Sequence, residues 1–226
     1  MENTNTRKLA LFDLDNTLLG GDSDHAWGEF LICRDMVDAE HHRARNDFFY
    51  EQYKRGELDI HGYVAFTIEP IRQLSAEELQ NLHAQFLRDE VAPMMLDKAQ
   101  DLVKKHKDAG DYCVIITATN EFITKPIAAL FEVDQLLPTE LEIVGDRYTG
   151  KISGIPCYQA GKVEKLNQWL AGSVNDLSLS NSIFYSDSMN DLPLLQAAAV
   201  PVAVDPDAKL RDFAEKSDWK IISLRD

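Results

Sequence analysis

Two aspartates, Asp13 and Asp15, follow directly after a continuous apolar run near the start of the chain. The run covers 9–12 without polar interruption, which is typical of a strand buried on both faces of a parallel sheet. Open α/β sheets bind their ligands at the carboxyl ends of such strands. Two carboxylates this close repel each other, so the pair favours a hard, oxygen-binding cation such as Mg2+. Capping of backbone amides in a loop is the alternative for this pair alone.

Four further polar side chains stand where other apolar or amphipathic runs begin or end: Thr117, Lys162, Asp187 and Asp191. The threonine follows the apolar run 112–116, the lysine opens the amphipathic run 163–170, and the aspartates follow the apolar run 183–185. Alone, such a threonine is usually a β-branched strand residue and such a lysine a solvated charge. Together with Asp13 they supply a nucleophile, a hydroxyl, an ammonium and an acidic pair, the groups that phosphoryl transfer requires.

In this order, the segments resemble the four motifs of the haloacid dehalogenase (HAD) superfamily of phosphatases. The matching residues are Asp13-x-Asp15-x-Thr17, then Thr117, then Lys162, then Asp187-Ser-Met-Asn-Asp191. The resemblance extends over nearly the whole chain. It implies a phosphatase of the α/β class, with a doubly wound, Rossmann-like parallel sheet and an all-helical C1 cap inserted after the first strand.

The resemblance also implies a role for each motif residue. Asp13 is the expected nucleophile, which forms an aspartyl-phosphate, and Asp15 protonates the leaving oxygen and then activates the hydrolytic water. Thr117 and Lys162 are expected to hold the transferred phosphoryl oxygens. The implied Mg2+ ligands are Asp13, the backbone carbonyl of Asp15, Asp187 and, directly or through water, Asp191.

Three segments resemble subfamily IB, the phosphoserine phosphatases and the bacterial histidinol-phosphate phosphatases related to them: 117–128, 154–162 and 185–195. The chain departs from phosphoserine phosphatases at Thr117-Ala-Thr, where those enzymes usually have Ser-Gly-Gly, and at Ser186, where they usually have Gly. These departures favour histidinol phosphate as the substrate, with phosphoserine as the alternative. A phosphomutase and a phosphorylated receiver domain are alternatives from other classes, although receivers have no helical insertion of this size.

Asp22 lies nine residues after Asp13, where phosphoserine phosphatases place a carboxylate that contacts the substrate ammonium. Capping of the next helix is the open alternative for Asp22. We also expect Ala118 and Asn190 to contact substrate, although Asn190 equally fits a turn role. Phosphoserine would need a cation for its carboxylate, and four cap arginines are candidates: Arg43, Arg45, Arg55 and Arg72. Cap aromatics at helical spacing are expected to form the cap core, with one or two lining the pocket: Trp27, Phe48, Phe49, Tyr50, Tyr53, Tyr63 and Phe66.

Strand-like and helical segments alternate along the chain, which predicts the doubly wound parallel sheet. The predicted strands are 8–12, 112–116, 183–185, 200–204 and 219–222. The long interval after the first strand carries helical patterns instead, at 24–36, 39–55, 60–74 and from the capping box Ser75-Ala-Glu-Glu78, before a helix at 97–109. We therefore place the cap at 20–90 and the core at 1–19 and 91–226. A hairpin is predicted over 141–154 from its Gly-Asp turn.

The composition argues against several classes of protein. With 38 acidic residues against 23 Lys and Arg, the 226-residue chain has a formal charge of −15, which disfavours nucleic acid or an anionic membrane as partner. Three cysteines without a paired spacing favour a reducing cytoplasm over a secreted disulfide framework. The expected partner is a small phosphate monoester. The sequence is compatible with a monomer but leaves the oligomeric state open.

Overall fold

The structure, a computed structural model, describes residues 7–172 and 177–225. Parts of the predicted core segments lie outside the described residues: 1–6, 173–176 and 226. The strands are β1 (Leu9–Phe12), β2 (Tyr112–Asn120), β3 (Gln135–Thr139), β4 (Leu141–Val144), β5 (Arg147–Ile152), β6 (Ser182–Ser186), β7 (Val200–Val204) and β8 (Lys220–Ile222).

The α-helices of the described residues are α1 (Ser23–Ile32), α2 (Ala39–Arg55), α3 (Ile60–Ile68), α4 (Ala76–Phe86), α5 (Ala92–Met94), α6 (Asp97–Asp108), α7 (Glu121–Phe131), α8 (Ala160–Gly172), α9 (Leu192–Ala197) and α10 (Ala208–Lys216). The first five helices all lie between β1 and α6, where the sequence predicts a helical cap. The limits of that cap, 20–90, stay a prediction. Among the described residues, no helix has the length and apolarity needed to cross a lipid bilayer.

Six strands form a parallel sheet in the order β3-β2-β1-β6-β7-β8, which confirms the predicted α/β fold with a doubly wound sheet. β1 lies at the centre, where Ala10 pairs with Cys113 of β2 on one side and Ile183 of β6 on the other. The chain winds outward from β1 in both directions. The carboxyl end of β1 is therefore the topological switch point, at which open α/β sheets bind ligands.

The two faces of β1 contribute to different apolar cores. Ala10 and Phe12 belong to a core that also contains buried residues of α1, α3, α4, α6 and α7. Leu9 and Leu11 belong to a core that contains Leu166 of α8 and buried residues of α9 and α10. Because both faces are buried, the strand carries an unbroken apolar run. This explains why its charged residues begin only where the strand ends.

Several elements differ from the predictions. The predicted helix 24–36 ends early, as α1, at Ile32. The predicted helix 60–74 ends as α3 at Ile68, because Pro70 lacks the amide hydrogen that would extend it, and a 3-10 turn follows over Glu69–Ile71. β2 continues to Asn120, past the predicted end at 116. β3 was not predicted, because Pro138 disfavours a strand except at a sheet edge, which is where β3 lies. The predicted hairpin 141–154 is confirmed as the antiparallel pair of β4 and β5.

Candidate functional site

The carboxyl ends of three neighbouring strands bring the predicted motif residues to one edge of the sheet. Asp13 follows β1, Thr117 lies in the last part of β2, and Asp187 follows β6. Lys162 reaches the same edge from the first turn of α8. Sequence positions more than a hundred residues apart are thereby placed around a single buried cluster.

Lys162 forms a buried ion pair with two carboxylates. Its Nζ lies 2.8 Å from Asp13 Oδ1 and 2.7 Å from Asp191 Oδ2, and only 2% of Lys162 is exposed. Burial lowers the pKa of Lys162, but the charges of Asp13 and Asp191 outweigh this and raise the pKa above its ordinary value. The hydroxyl of Ser186 donates a further bond of 2.7 Å to Asp191 Oδ2. Lys162 is therefore a fixed positive charge beside Asp13.

The start of α8 that carries Lys162 is packed closely against the preceding loop. A side-chain carbon added at Gly161 would overlap the backbone carbonyl oxygen of Pro156. Only glycine leaves room for that carbonyl without a shift of the backbone. The residue before Lys162 therefore fixes how deeply the lysine reaches into the cluster.

Thr17 joins the first and the fourth motif. Its Oγ1 lies 3.1 Å from both Asp13 Oδ2 and Asp187 Oδ1, and it accepts a bond of 3.0 Å from the backbone N–H of Asp187. Burial raises the pKa of Asp187 well above its ordinary value, and the nearby charges of Asp13 and Asp191 raise it further. Burial also raises the pKa of Asp13, against the opposing effect of Lys162.

Asp15 is held away from this cluster, on the side that faces the helices after β1. Its Oδ1 accepts a bond of 2.6 Å from the backbone N–H of Ser23, and its Oδ2 accepts a bond of 2.8 Å from the hydroxyl of Thr119. Burial and the charge of Asp22 raise the pKa of Asp15 to about 6, although both hydrogen bonds lower it. Thr119 was not among the predicted site residues, although the repeated hydroxyl in Thr117-Ala-Thr119 is a signal for it.

A small cavity lies between this edge of the sheet and helices α1 to α3. The residues that line it are Asp13, Asp15, Asp22, Asp24, Phe49, Tyr50, Tyr53, Leu58, Ile60, Tyr63, Thr117, Ala118 and Thr119. Water-sized molecules have about 40 Å³ for their centres, which is room for a few waters. The described lining contains four carboxylates and no Lys or Arg. Four of the cap aromatics line it, which is more than the one or two expected, and Phe48 is exposed.

Asp22 takes the helix-capping role that was one of its two alternatives and also lines the cavity. Its Oδ1 accepts bonds from the backbone N–H groups of Asp24 and His25 at the start of α1, at 3.0 and 2.9 Å. Asp24 is only 8% exposed and lines the same cavity. Burial raises the pKa of Asp24 well above its ordinary value, with further increases from Asp22 and Asp15, while hydrogen bonding by Tyr63 lowers it.

Asn190 lies outside the small cavity, at the contact between the sheet edge and α2. Its Nδ2 donates a bond of 2.9 Å to the backbone carbonyl of Tyr53. It lines a second, larger cavity of about 630 Å³, together with Asp187. Tyr50 and Tyr53 line both cavities and separate them.

The four cap arginines are engaged elsewhere. Arg43 pairs with Glu29 at 2.9 Å, and Arg72 pairs with Glu69 at 2.9 Å. The guanidinium of Arg45 lies 5.0 Å from the centre of the Phe49 ring, and Arg55 pairs with Glu57 at 3.0 Å. Among the described residues that line the small cavity, none is an arginine that would neutralise a substrate carboxylate.

The carboxylates of the cluster suit a hard divalent cation. The buried ammonium of Lys162 pairs with Asp13 and Asp191. Thr17 holds Asp187 beside Asp13, so three carboxylates meet one ammonium and leave an excess of negative charge on oxygen donors. The described residues contain no group of three or more His, Cys, Asp or Glu arranged to hold a metal ion. Mg2+ does not need such a group, because proteins usually bind it through one or two carboxylates, with water and substrate phosphate completing the shell.

The chain is similar to several known proteins. The family model of haloacid dehalogenase-like hydrolases matches residues 10–196. A histidinol-phosphatase from Neisseria meningitidis serogroup C (strain 8013) is 42% identical over 97% of this chain and 100% of its own length. A phosphoserine phosphatase from Mycobacterium tuberculosis is 30% identical over 96% of this chain and 70% of its own. A protein with unknown function from Bordetella pertussis Tohama I superimposes with a TM-score of 0.90, at 44% identity, over 97% and 100% of the two chains.

Proposed function

Because the chain belongs to the haloacid dehalogenase-like hydrolases and is a phosphatase, we propose that it hydrolyses histidinol phosphate through an aspartyl-phosphate on Asp13. The observation that carries the choice of substrate is the small cavity beside Asp13. Carboxylates and aromatic rings line it, and its described residues include no Lys or Arg. Such a lining favours an alcohol that bears an amine and disfavours one that bears a carboxylate. The histidinol-phosphatase at 42% identity supports the same choice.

In the first step, an oxygen of Asp13 attacks phosphorus and the bond from phosphorus to the ester oxygen breaks. Oδ1 of Asp13 is held by Lys162 and Oδ2 lies beside Thr17, so the carboxylate has a fixed orientation. Lys162 and Thr117 then lie beside the oxygens of the transferred group and balance their charge. The resulting acyl phosphate is the covalent intermediate.

Asp15 is the proposed acid and base. A pKa raised to about 6 leaves part of the group protonated near neutral pH, which suits a general acid. Its proton passes to the leaving alkoxide in the first step. The carboxylate then takes a proton from the water that attacks the aspartyl-phosphate, which releases inorganic phosphate and restores Asp13. The bonds from Ser23 and Thr119 hold Asp15 in place for both transfers.

Mg2+, when bound, neutralises charge on the phosphoryl oxygens. We propose Asp13 and Asp187 as its direct side-chain ligands, with the backbone carbonyl of Asp15 beside them. Asp191 is occupied by Lys162 and Ser186, so a contact through water suits it better than a direct one. Thr17 holds Asp13 and Asp187 next to each other and thereby prepares the pair for the cation.

The amine of the substrate is assigned to Asp22. Both hydrogen bonds that cap α1 use its Oδ1, and the carboxylate lines the cavity next to Asp15. Tyr50 and Tyr53 line both this cavity and the larger one, and we propose that the substrate passes these two side chains on entry.

The test compares kcat/KM for histidinol phosphate, phosphoserine and propyl phosphate in the wild type and in Asp22→Asn. Asparagine still caps a helix but carries no charge, so the variant separates the two roles of Asp22. We expect a wild-type preference for histidinol phosphate over phosphoserine and a loss of about 10- to 100-fold for histidinol phosphate in Asp22→Asn, with propyl phosphate unchanged. A wild-type preference for phosphoserine would overturn the proposed substrate.

A further inference from the structure

Asp24 is a buried carboxylate with an oxygen that has no partner. It is 8% exposed, and its Oδ1 makes no hydrogen bond with any residue that the structure describes. The side chain lines the small cavity, as does that of Asp22. A buried carboxyl oxygen without a donor is costly, so this position is expected to receive a donor from a bound molecule.

A purely structural role does not account for this oxygen. Asp24 lies in the first turn of α1, where an acid interacts favourably with the helix dipole. That role is already supplied by Asp22, which caps the same helix through two backbone N–H groups. The dipole effect is also available to an exposed acid and does not require the carboxylate to be buried against a cavity.

We propose that Asp24 is a second recognition residue for nitrogen, so that the preferred substrate carries two nitrogen-bearing groups. This inference rests on the proposed function, in which Asp22 receives the amine. Asp24 then accepts a hydrogen bond from an N–H of the imidazole ring, and its negative charge stabilises the protonated ring. A phosphate monoester with an amine alone would leave Oδ1 of Asp24 without a donor and would be a poorer substrate.

The surroundings of Asp24 suit a flat, polar ring. Tyr50 and Tyr63 line the same cavity, and aromatic faces of this kind stack on an imidazole. Leu58 and Ile60 add apolar walls without competing donors. Because no Lys or Arg lies among the described lining residues, the N–H donors for Asp24 and for the free oxygen of Asp22 must come from the ligand or from water.

The test uses two esters with the same amine and rings of similar size: histidinol phosphate and phenylalaninol phosphate, whose ring has no nitrogen. In the wild type we expect kcat/KM to be about 10- to 100-fold higher for histidinol phosphate. In Asp24→Asn this ratio should fall close to one, because only histidinol phosphate loses an interaction. Asp22→Asn should lower kcat/KM for both esters by the same factor, because both carry the amine. Asp38→Asn, at the N-cap of α2, is the control expected to leave the ratio unchanged.

Two results separate failure of this inference from failure of the proposed function. A wild type that prefers phosphoserine overturns both. If the wild type prefers histidinol phosphate and Asp24→Asn keeps the wild-type ratio of kcat/KM values, only the role of Asp24 is overturned. This holds whether the variant lowers kcat/KM for both esters equally or for neither.

Inhibition by histidinol and by phenylalaninol gives a second readout. We expect Asp24→Asn to raise the inhibition constant of histidinol about 10-fold or more and to leave that of phenylalaninol unchanged.

Discussion

Asp13 and Asp15 have similar side chains but very different environments. Asp13 is paired with a buried ammonium, whereas Asp15 is held only by neutral donors, from Ser23 and Thr119. The charge of Lys162 opposes the effect of burial on Asp13 and favours the ionised form that a nucleophile needs. Asp15 has no such cation, and a pKa raised to about 6 suits a proton donor. The assignment of the two roles follows from this difference.

Replacement of each aspartate by asparagine should give different defects. We expect Asp13→Asn to lower kcat about a thousandfold or more, because an amide does not attack phosphorus. Asp15→Asn should still form the aspartyl-phosphate with a good leaving group, such as p-nitrophenyl phosphate, but hydrolyse it slowly. Intact-protein mass spectrometry would then detect a phosphorylated species in Asp15→Asn and none in Asp13→Asn. Substantial turnover by a folded Asp13→Asn variant would contradict the assignment of the nucleophile.

Thr119 donates the 2.8 Å hydrogen bond that fixes Asp15 from the β2 side. Thr119→Val removes this donor with little change in volume, and we expect kcat to fall about 10-fold, as the loss of one hydrogen bond to a charged group predicts. Thr149→Val is a matched control, since its hydroxyl donates a 2.7 Å bond to Glu142 in the hairpin. Steady-state kinetics of both variants would check the expectation, and an equal effect of the two would show that Thr119 has no special role.

At the level of elements, the first turn of α8 determines where Lys162 lies. Gly161→Ala adds a carbon that overlaps the Pro156 carbonyl, so the turn must shift and withdraw the ammonium from Asp13. We expect a loss of kcat/KM of about 10-fold or more together with a lower Tm. Gly172→Ala, at the other end of α8, is the control, because an added carbon there meets no described atom within 4 Å. If both variants keep wild-type kinetics and stability, the close packing at Gly161 does not position Lys162.

The sequence predicts most elements of the core because the strands there carry strong apolar patterns. β1 is buried on both faces, so its unbroken apolar run identifies both the strand and the edge at which Asp13 lies. β3 was missed because it contains Pro138, which weakens the sequence signal for a strand and is tolerated here at the sheet edge. The limits of the cap depend on tertiary contacts, which no local pattern records.

In the site too, residues in sequence motifs could be predicted, and residues placed by tertiary packing could not. The structure brings Asp13, Thr17, Lys162, Asp187 and Asp191 into one bonded cluster, as the motif resemblance predicts, although their catalytic roles remain proposals. Asp24 was not predicted, because an acid in a first helical turn is ordinary in a sequence. Only its burial and its unpartnered oxygen distinguish it, and both depend on how α1 packs over the cavity.

At the scale of the whole molecule, the chain has a formal charge of −15, and several of its carboxylates lie together at the site. Burial is the main cause that raises the pKa of both Asp15 and Asp191 to about 6, compared with the ordinary 3.8. Between these pH values the folded protein holds protons that the unfolded chain has released. The resulting stability is fully present below about pH 4 and is lost as pH rises through about 6.

Mg2+ should offset part of this lost stability, because it places positive charge beside Asp13, Asp187 and Asp191 after the protons have left the site. At pH 7.5 and about 100 times Kd, we expect Mg2+ to stabilise the fold by about 3 kcal/mol, which raises Tm by about 5 to 10 °C. At pH 5 the shift should be less than half as large, since protons then compete with the cation. EDTA should remove the shift along with activity, and Asp187→Asn should abolish it, whereas the surface control Asp212→Asn should keep it. Thermal unfolding at the two pH values checks this, and a Mg2+ shift as large at pH 5 as at pH 7.5 would disconnect the cation from the buried carboxylates.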